Sequence, residues 1–517
     1  MFVDYLDRGV RHRPDGVAVV RGDGEGALTH RELHALTHRV ALGLRAQGLG
    51  AGAKVALLAP NSPLALACAI GIMRSGAAWT TLNARAETAE LLSLLRLLEC
   101  DWLIFDETMR ERAQALLDGA PSLRGGVAFD ADALGDELEA WLGPAGAELE
   151  RGPFRPQDPI VYAGTGGTTG APKAVPIDSR QYVTMCMAFE AHAPEPAPST
   201  YLMATPMTHA GGSASFPTIA TGGTIVVHDG VRPAAVLDSI ERHRVTRLFL
   251  PPTAIYALLA EPDVRERDYA SLRHFLYLAA PMSVDKLIEA IDVFGPVMTQ
   301  SFGQTEAPMI CTWFSPAEHM EALAEPDKRG RLSSCGRAAV GTSVEVMDDE
   351  GRLLAPGERG ELVVRGDLVM RGYHGDAEAT ALVERPGGWL GTGDVGFRDE
   401  EGFLYIVDRK RDMIISGGFN VFPSEVERVI WGHEAVLDCA VIGVPDEKWG
   451  EAVTAIVELK DGHDVDADEL IALCKRTLGS VQAPKAVHFR ALPRSGNGKV
   501  LKRVLRDEFW AGRERLV

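Results

Sequence analysis

The chain has 517 residues, of which 46% are hydrophobic and 24% charged, and its formal net charge is −19. This length exceeds what one hydrophobic core supports, so we expect several domains. Acidic residues number 72 and basic residues 53, a balance that argues against a nucleic-acid partner and gives no general attraction to anionic membranes.

Cysteine spacing and hydropathy point to a cytoplasmic protein. The seven cysteines are sparse and form no CxxC pair, which is typical of a reducing compartment and does not fit zinc-site spacing. The first residues contain no apolar stretch of signal-peptide length. The best uncharged apolar run, 63–73, is far shorter than the ~20 residues that a membrane span needs.

Helical and strand patterns alternate from about residue 28 to residue 140. Thr29 with Glu32 predicts a capping box at a helix start. Residues 54–59 and 101–106 predict strands, and 63–75 a helix between them. This alternation predicts βα units around a mostly parallel sheet. A linker rich in proline and glycine follows at residues 143–159.

The α/β pattern then repeats and gives way to shorter strands. Strands are predicted at 159–162, 223–228, 247–250 and 275–278, and helices at 233–243 and 252–259. A strand–turn–strand hairpin at 344–354 and strands at 360–365 and 403–407 predict a small β subdomain. Residues 409–517 predict a small α+β domain with about two helices and three strands, separated at 408–412 from the larger domain, 1–408.

The most informative segment is the glycine- and threonine-rich loop between the strand at 159–162 and Lys173. Glycine lets backbone N–H groups approach a ligand closely, and the hydroxyls and the lysine complete a cradle for phosphates. A Walker loop needs Gly-Lys followed by Ser or Thr, whereas Ala171 and Pro172 separate Gly170 from Lys173. A flexible surface loop is the alternative interpretation.

Five further segments join glycine to polar or charged residues: SFGQTE at 301–306, GTGD at 391–394, DRKRD at 408–412, SGGFN at 416–420 and RSGNGK at 494–499. Taken singly, GTGD predicts a tight turn that precedes an aspartate, DRKRD a solvated face and RSGNGK a surface loop. Their joint occurrence in this order is far more specific than any one motif.

In this combination the chain resembles the acyl-adenylate-forming superfamily, which includes acyl- and aryl-CoA ligases, luciferases and peptide-synthetase adenylation domains. The resemblance covers nearly the whole chain and is closest to fatty-acyl and aryl-CoA ligases. TGGTTGAPK resembles the phosphate loop, GELVVRGDLVMRGY at 360–373 the β-subdomain signature, and RSGNGK the catalytic-lysine loop. The fold it implies is a large α/β domain with stacked sheets and a small β subdomain, followed by a small mobile α+β domain.

The resemblance implies a two-step reaction that uses ATP, Mg²⁺ and coenzyme A. A carboxylate attacks the α-phosphate of ATP, and a thiol then displaces AMP from the acyl-adenylate. Lys499 is the implied catalytic cation, and Glu306, assisted by Thr165, the implied Mg²⁺ ligand. The other implied nucleotide contacts are Gly166, Gly167, Thr168, Thr169, Gly170, Lys173, Ala280, Pro281, Ser301, Phe302, Gly303, Gln304, Thr305, Asp394 and Arg409.

The resemblance also implies a coenzyme A tunnel and an acyl pocket. Gly417 and Gly418 would form the tunnel floor, with Trp449 near the coenzyme. His209 resembles the gate residue of the acyl pocket, and a structural histidine that caps a helix is an equal alternative. The small residues at 210–215 are taken to leave volume for a bulky aryl or medium to long acyl group.

Three departures from the family pattern are present. Phe302 stands where Tyr is common, Arg411 where the hinge residue is usually Asp or Lys, and Ala279 where glycine usually begins the adenine wall.

Two alternative functions stay open: loading of a carrier protein's phosphopantetheine, and nucleotide binding without catalysis. The expected partners are a small carboxylic acid and coenzyme A or an acyl-carrier protein, with no nucleic acid, and a homodimer is left open.

Overall fold

The computed structural model describes residues 2–130, 135–150, 152, 155–165, 172–194, 198–494 and 500–510. Their contacts divide the chain into two compact units. The first contains residues 1–344, 364–384 and 388–390, and the second contains 345–363, 385–387 and 391–517.

In the described residues we number the strands β1 to β25 and the α-helices α1 to α17. In chain order the strands are Val17–Arg21, Leu28–Thr29, Lys54–Leu58, Ala78–Leu82, Trp102–Asp106, Gly126–Phe129, Pro159–Thr165, Lys173–Asp178, Thr200–Met203, Thr224–Val227, Arg247–Leu250, His274–Tyr277, Met298–Gln304, Ala307–Phe314, Arg337–Ala338, Thr342–Met347, Gly360–Gly366, Glu384–Arg385, Trp389–Arg398, Leu404–Arg409, Ile414–Ser416, Phe419–Val421, Val436–Asp446, Gly450–Leu459 and Ala486–Phe489. The helices are Phe2–Leu6, Arg8–His12, His30–Ala46, Pro63–Ser75, Thr88–Leu98, Arg110–Gly119, Gly135–Trp141, Ser179–His192, Ala210–Ala220, Pro233–Arg242, Pro252–Leu259, Val284–Phe294, Pro316–Ala324, Ala377–Val383, Pro423–Trp431, Ala467–Leu478 and Lys502–Trp510.

The first unit contains two mostly parallel sheets. The nine-stranded sheet has the order β15-β14-β13-β12-β11-β9-β10-β1-β2, and the six-stranded sheet has the order β6-β5-β3-β4-β7-β8. Strands β3, β4 and β5 are nearly continuous apolar runs with few exposed residues, as expected of parallel strands covered on both faces. The parallel α/β sheets that the alternating pattern predicts are therefore present.

Helix α4 shows how local sequence sets these elements. The Ser62 hydroxyl accepts the Ala65 N–H, Pro63 occupies the first turn, and Gly76 ends the helix in the left-handed conformation. Every residue of the helix is buried, which explains why its sequence is apolar on all sides up to Arg74 and Ser75. The predicted bounds of this helix are confirmed, and so is the capping box of Thr29 with Glu32 in α3.

Most of the second unit consists of a small β region and an α+β region. The β region is a five-stranded sheet of order β16-β17-β19-β18, in which β20 also pairs with β19. The α+β region has a five-stranded sheet of order β22-β21-β24-β23, with β25 on β24. Buried side chains of α15, α16 and this sheet form its core.

Two sequence predictions about these regions are wrong. The predicted return strand of the hairpin at 344–354 is only an isolated bridge between Met347 and Leu353. The described part of 409–517 contains three helices and five strands that begin after residue 409, not two and three. Strands β21 and β22 have three residues each, which is too short to give an alternating pattern. Among the described residues, no helix combines the length and apolar composition that crossing a bilayer requires.

A buried ion pair joins the N-terminal segment to helix α4. The Arg74 guanidinium contacts both Asp7 carboxylate oxygens, at 2.5 and 3.0 Å, and also donates to the Thr37 hydroxyl. Both charged side chains are 7% exposed. Burial alone would raise the pKa of Asp7, but the hydrogen bonds and charge of Arg74 outweigh burial and lower that pKa. The pair therefore stabilises the fold above pH about 4, and its contribution is lost as the pH falls through the lowered pKa.

Replacing Arg74 by Met removes the guanidinium and leaves the Asp7 carboxylate buried. We expect the free energy of unfolding at neutral pH to fall by about 3–5 kcal/mol, measured by urea denaturation. The matched control is Arg31→Met, because the Arg31 and Asp15 side chains are 64% and 81% exposed and their pair contributes at most about 1 kcal/mol. Equal losses in the two variants would contradict this account.

Candidate active site

Strands β7 and β8 bring the two ends of the predicted phosphate loop together. They pair antiparallel, and Thr165 lies directly opposite Lys173. Gly166, Gly167, Thr168, Thr169 and Gly170 lie outside the described residues. The structure thus places the predicted hydroxyl and the predicted cation side by side at one end of the six-stranded sheet.

Glu306 lies at the tip of the hairpin formed by β13 and β14. Gln304 pairs with Ala307, so Thr305 and Glu306 are the two turn residues. Glycine is required at 303, because an added Cβ would lie 2.6 Å from backbone atoms of Met309. The Ser301 hydroxyl is buried and lies 2.7 Å from the Met309 carbonyl oxygen. Ser301 therefore holds the hairpin closed.

One predicted adenine wall lies in strand β13, and the other follows the neighbouring strand β12. Phe302 is in β13 and its backbone N–H donates to the Thr312 hydroxyl. Ala280 and Pro281 are exposed just beyond β12, which runs parallel to β13. Ala279 has a φ of 76°, a left-handed conformation that costs free energy for any residue with a Cβ. The glycine that is usual at this position in the resembling family would carry no such cost.

Sequence reasoning missed a residue that contacts Glu306. The Tyr373 hydroxyl donates to Glu306 Oε1 at 2.7 Å, and Lys173 Nζ lies 5.0 Å from the centroid of the Tyr373 ring. Tyr373 ends the GELVVRGDLVMRGY segment, which was interpreted only as a β-subdomain signature. Carboxylate and hydroxyl oxygens are the hard donors that Mg²⁺ prefers, so the Glu306 region fits that ion chemically.

The predicted ribose contact is an ion pair within the second unit. Asp394 in β19 lies opposite Arg409 in β20, and Arg409 Nε is 2.7 Å from Asp394 Oδ1. The Asp394 residue is 3% exposed. The prediction that GTGD forms a tight turn is wrong, since residues 391–394 lie inside the ten-residue strand β19. Gly393 has a φ of 73°, so glycine here permits a local distortion of a strand.

A second missed residue, Glu361, fixes the backbone beside Asp394. Its Oε1 accepts the Gly393 N–H at 3.0 Å, and Arg385 pairs with the same carboxylate at 2.8 Å. An added Cβ at Gly391 would lie 2.6 Å from Glu361 Oε1. The available signal in the sequence was a glutamate placed directly before the apolar run 362–364.

Gly417 and Gly418 form the two-residue turn between β21 and β22. Their φ angles of 60° and 81° are typical of a type I′ hairpin turn. The Gly417 N–H donates to the Trp449 carbonyl oxygen, and an added Cβ would lie 2.8 Å from the Trp449 ring. An added Cβ at Gly418 would meet nothing within 4 Å. Trp449 therefore covers one side of the turn and leaves the other side open.

The charge cluster at 408–412 is engaged in ion pairs and is not merely a solvated face. Arg506 contacts Asp412 at 3.1 Å, and Asp408 accepts the Ser424 N–H at 2.7 Å. Burial alone would raise the pKa of Asp412, but Lys502, Arg411 and Arg506 outweigh burial and lower that pKa. These contacts tie helix α17 to the segment that follows the predicted domain boundary.

Lys499 lies outside the described residues, but the chain on either side of it is held in place. Arg494 and Val500 form an isolated β-bridge. Three residues beyond Lys499, Lys502 pairs with the buried Glu427 at 2.6 Å.

His209 occupies the N-cap position of α9, and its side chain makes no capping hydrogen bond. Its Nδ1 lies 3.0 Å from the Thr208 hydroxyl, and the residue is exposed. His209 is therefore at the N-cap, as the alternative expected, but its side chain does not cap the helix. The free volume expected at 210–215 is absent beside Gly211 and Gly212, because added Cβ atoms there would lie 2.4 Å from the Thr205 hydroxyl and 2.0 Å from the Met207 carbonyl oxygen. Close backbone packing, not an acyl group, requires these glycines.

Comparison with known proteins identifies the family. The sequence matches the AMP-binding enzyme family over residues 6–374 and the AMP-binding enzyme C-terminal domain over residues 425–499. The chain belongs to the AMP-binding enzyme family. The resemblance that the motifs indicated is thus confirmed.

Individual relatives of this AMP-binding enzyme span almost its whole length. It is 38% identical to the medium/long-chain-fatty-acid–CoA ligase FadD8 of Mycobacterium tuberculosis, covering 96% of this chain and 88% of that protein. It is 35% identical to a feruloyl-CoA synthase of Amycolatopsis, covering 97% of this chain and 98% of that protein. Among solved structures, the amide bond synthetase McbA of Marinactinospora thermotolerans aligns with a TM-score of 0.87 at 32% identity, covering 98% of this chain and 100% of McbA.

Proposed function

We propose that this AMP-binding enzyme is an ATP-dependent acid–thiol ligase that activates a bulky aryl or medium to long acyl carboxylic acid and transfers it to coenzyme A. The observation that carries the proposal is that Tyr373 contacts both Glu306, a hard anionic ligand, and Lys173, the cation at the end of the phosphate loop. Relatives that are a fatty-acid–CoA ligase and a feruloyl-CoA synthase support both the reaction and the substrate class.

In the first step a carboxylate oxygen of the acid attacks the α-phosphorus of ATP. A new P–O bond forms, the bond from the α-phosphorus to the bridging oxygen breaks, and pyrophosphate leaves with that electron pair. Both reactants are anions, so the site must screen their repulsion. Lys499 is the proposed cation at the α-phosphate and carboxylate, and Lys173 supports the leaving phosphates.

Glu306, assisted by Thr165, is the proposed ligand of Mg²⁺, which supplies charge neutralisation on the phosphates when bound. Asp394 accepts hydrogen bonds from the ribose hydroxyls, and Arg409, already paired with Asp394, contacts the ribose or a phosphate. Phe302 packs on one face of adenine, with Ala280 and Pro281 on the other.

In the second step the thiolate of coenzyme A attacks the acyl carbon. A C–S bond forms, the C–O bond to the phosphate breaks, and AMP leaves. The open side of the turn at Gly417 and Gly418 accepts the pantetheine arm, and Trp449 lines its path. His209, exposed at the start of α9, is the proposed gate of the acyl pocket.

The two steps use different parts of the proposed small domain, 409–517, which pivots at Arg411 after the large domain, 1–408. Lys499 serves adenylation, and the turn at Gly417 and Gly418 serves thioester formation. Because each half-reaction uses different residues, we expect mutations to separate the two half-reactions.

Replacing Lys499 by Ala removes the cation of the first step only. We expect the rate of pyrophosphate release to fall by about 10²–10³-fold, while thioester formation from supplied acyl-AMP is largely kept. The two half-reactions are measured separately, by pyrophosphate detection and by chromatography of the acyl-CoA. Lys460→Ala, at an exposed lysine of the same domain, is the control and leaves both rates unchanged. Equal loss of both steps in Lys499→Ala would contradict the assignment.

Replacing Gly418 by Trp tests the tunnel. The new ring fills the open side of the turn, so we expect thioester formation to be lost while pyrophosphate release persists. Gly462→Trp is the matched control, because Gly462 also has a positive φ, of 73°, and open space around its Cβ position. Normal acyl-CoA synthesis by Gly418→Trp would remove this turn from the coenzyme A path.

A further inference from the structure

Residues 370–374 form a strap that contacts both halves of the phosphate-binding region. The Met370 N–H donates to the Glu306 carbonyl oxygen at 2.8 Å, and the His374 N–H donates to the Ala174 carbonyl oxygen at 2.9 Å. The His374 ring also packs edge-on against Tyr162, at 5.0 Å between centroids. One end of the strap is thereby fixed to the Glu306 hairpin and the other to the strands that carry the phosphate loop.

Tyr373 lies within this strap, and its own backbone is held. Its N–H donates to the Thr380 hydroxyl at 2.9 Å. Its side chain is only partly buried, although tyrosine has ample apolar surface to bury in a core. The Tyr373 ring is therefore placed beside the site by the backbone around it.

The Tyr373 hydroxyl fixes the orientation of the Glu306 carboxylate. An ionised carboxylate only accepts hydrogen bonds, so the hydroxyl is the donor in the 2.7 Å contact with Oε1. Hydrogen bonds to charged groups are short and strong, and a donor of this kind restricts rotation of the carboxylate. Partners that orient a metal ligand in this way commonly control the affinity for the metal.

The ring of Tyr373 contacts the ammonium group of Lys173. Lys173 Nζ lies 5.0 Å from the ring centroid, which is within the range of a cation–π interaction. Lys173 ends the phosphate loop, opposite Thr165. One side chain thus restrains both the anionic group and the cationic group of the nucleotide site.

We propose that Tyr373 is a positioning residue for Mg²⁺–ATP, its hydroxyl orienting Glu306 toward the metal ion and its ring orienting Lys173 toward the phosphates. The inference rests on the proposed function, since it takes Glu306 as the metal ligand and Lys173 as a phosphate contact. Tyr373 acts through these two residues and does not itself contact the reacting atoms.

Two substitutions separate the hydroxyl from the ring. In Tyr373→Phe the ring stays and the hydroxyl is lost, so the Mg²⁺ concentration for half-maximal pyrophosphate release rises about tenfold. Affinity for α,β-methylene-ATP in EDTA, measured by isothermal titration calorimetry, does not change in this variant. In Tyr373→Leu the Mg²⁺ requirement rises equally, and affinity for the analogue in EDTA also falls about threefold, because Lys173 loses the ring.

The matched control is Tyr405→Phe, which removes another tyrosine–carboxylate hydrogen bond, the 3.0 Å contact with Asp399. If the role of Tyr373 were merely structural, Tyr373→Phe and Tyr373→Leu would behave like Tyr405→Phe. All three variants would then lose thermal stability and keep the wild-type Mg²⁺ requirement. An unchanged Mg²⁺ requirement in Tyr373→Phe overturns the role of the hydroxyl, and identical analogue affinities in Tyr373→Phe and Tyr373→Leu overturn that of the ring. Failure of the proposed function is distinct, because the wild-type enzyme would then release no pyrophosphate with any acid.

Discussion

The repulsion between a carboxylate and a polyphosphate is the constraint on which the proposed chemistry depends. This chain carries a net charge of −19, so its overall field opposes the binding of two anionic substrates. The site must therefore rely on a few cations aimed from fixed positions. Lys173, which is opposite Thr165 and beside the Tyr373 ring, is one proposed cation of this kind, and Lys499 is the other. A charge that acts over a few ångströms outweighs the average field of the protein.

Two ion pairs with buried carboxylates fix the segment that contains the predicted ribose contact. In the second unit, Asp394 pairs with Arg409, and Glu361 pairs with Arg385 while accepting the Gly393 N–H. These carboxylates are 3% and 6% exposed, so removing a partner would leave a buried charge at a substantial cost. The same contacts fix the backbone of residues 391–394. Preorganisation of this kind would leave little to reorganise when the proposed nucleotide binds.

Much of the fold could be predicted because its sequence signals are local. The helix bounds of Pro63–Ser75 and Pro252–Leu259 follow from Pro at the first turn and an apolar run that ends at a turn signal. The turn at GTGD was wrongly predicted because the residues alone do not show whether a glycine lies in a turn or distorts a strand. Glu361 and Tyr373 were missed because their roles come from partners 32 and 67 residues away. The glycines of α9 were misjudged because only packing shows which atoms occupy the space beside them.

The most direct test of the account is pyrophosphate release by the full-length enzyme with ATP, Mg²⁺ and a panel of fatty, aryl and short-chain acids, followed by addition of coenzyme A. We expect pyrophosphate to be released only when an acid is present, and fastest with medium to long acyl or aryl acids. Coenzyme A should then convert the bound acyl-AMP to acyl-CoA, with release of one AMP for each pyrophosphate. Absence of pyrophosphate release with every acid would contradict the proposed ligase activity. So would release of pyrophosphate without any conversion of the acyl-AMP to a thioester after coenzyme A is added.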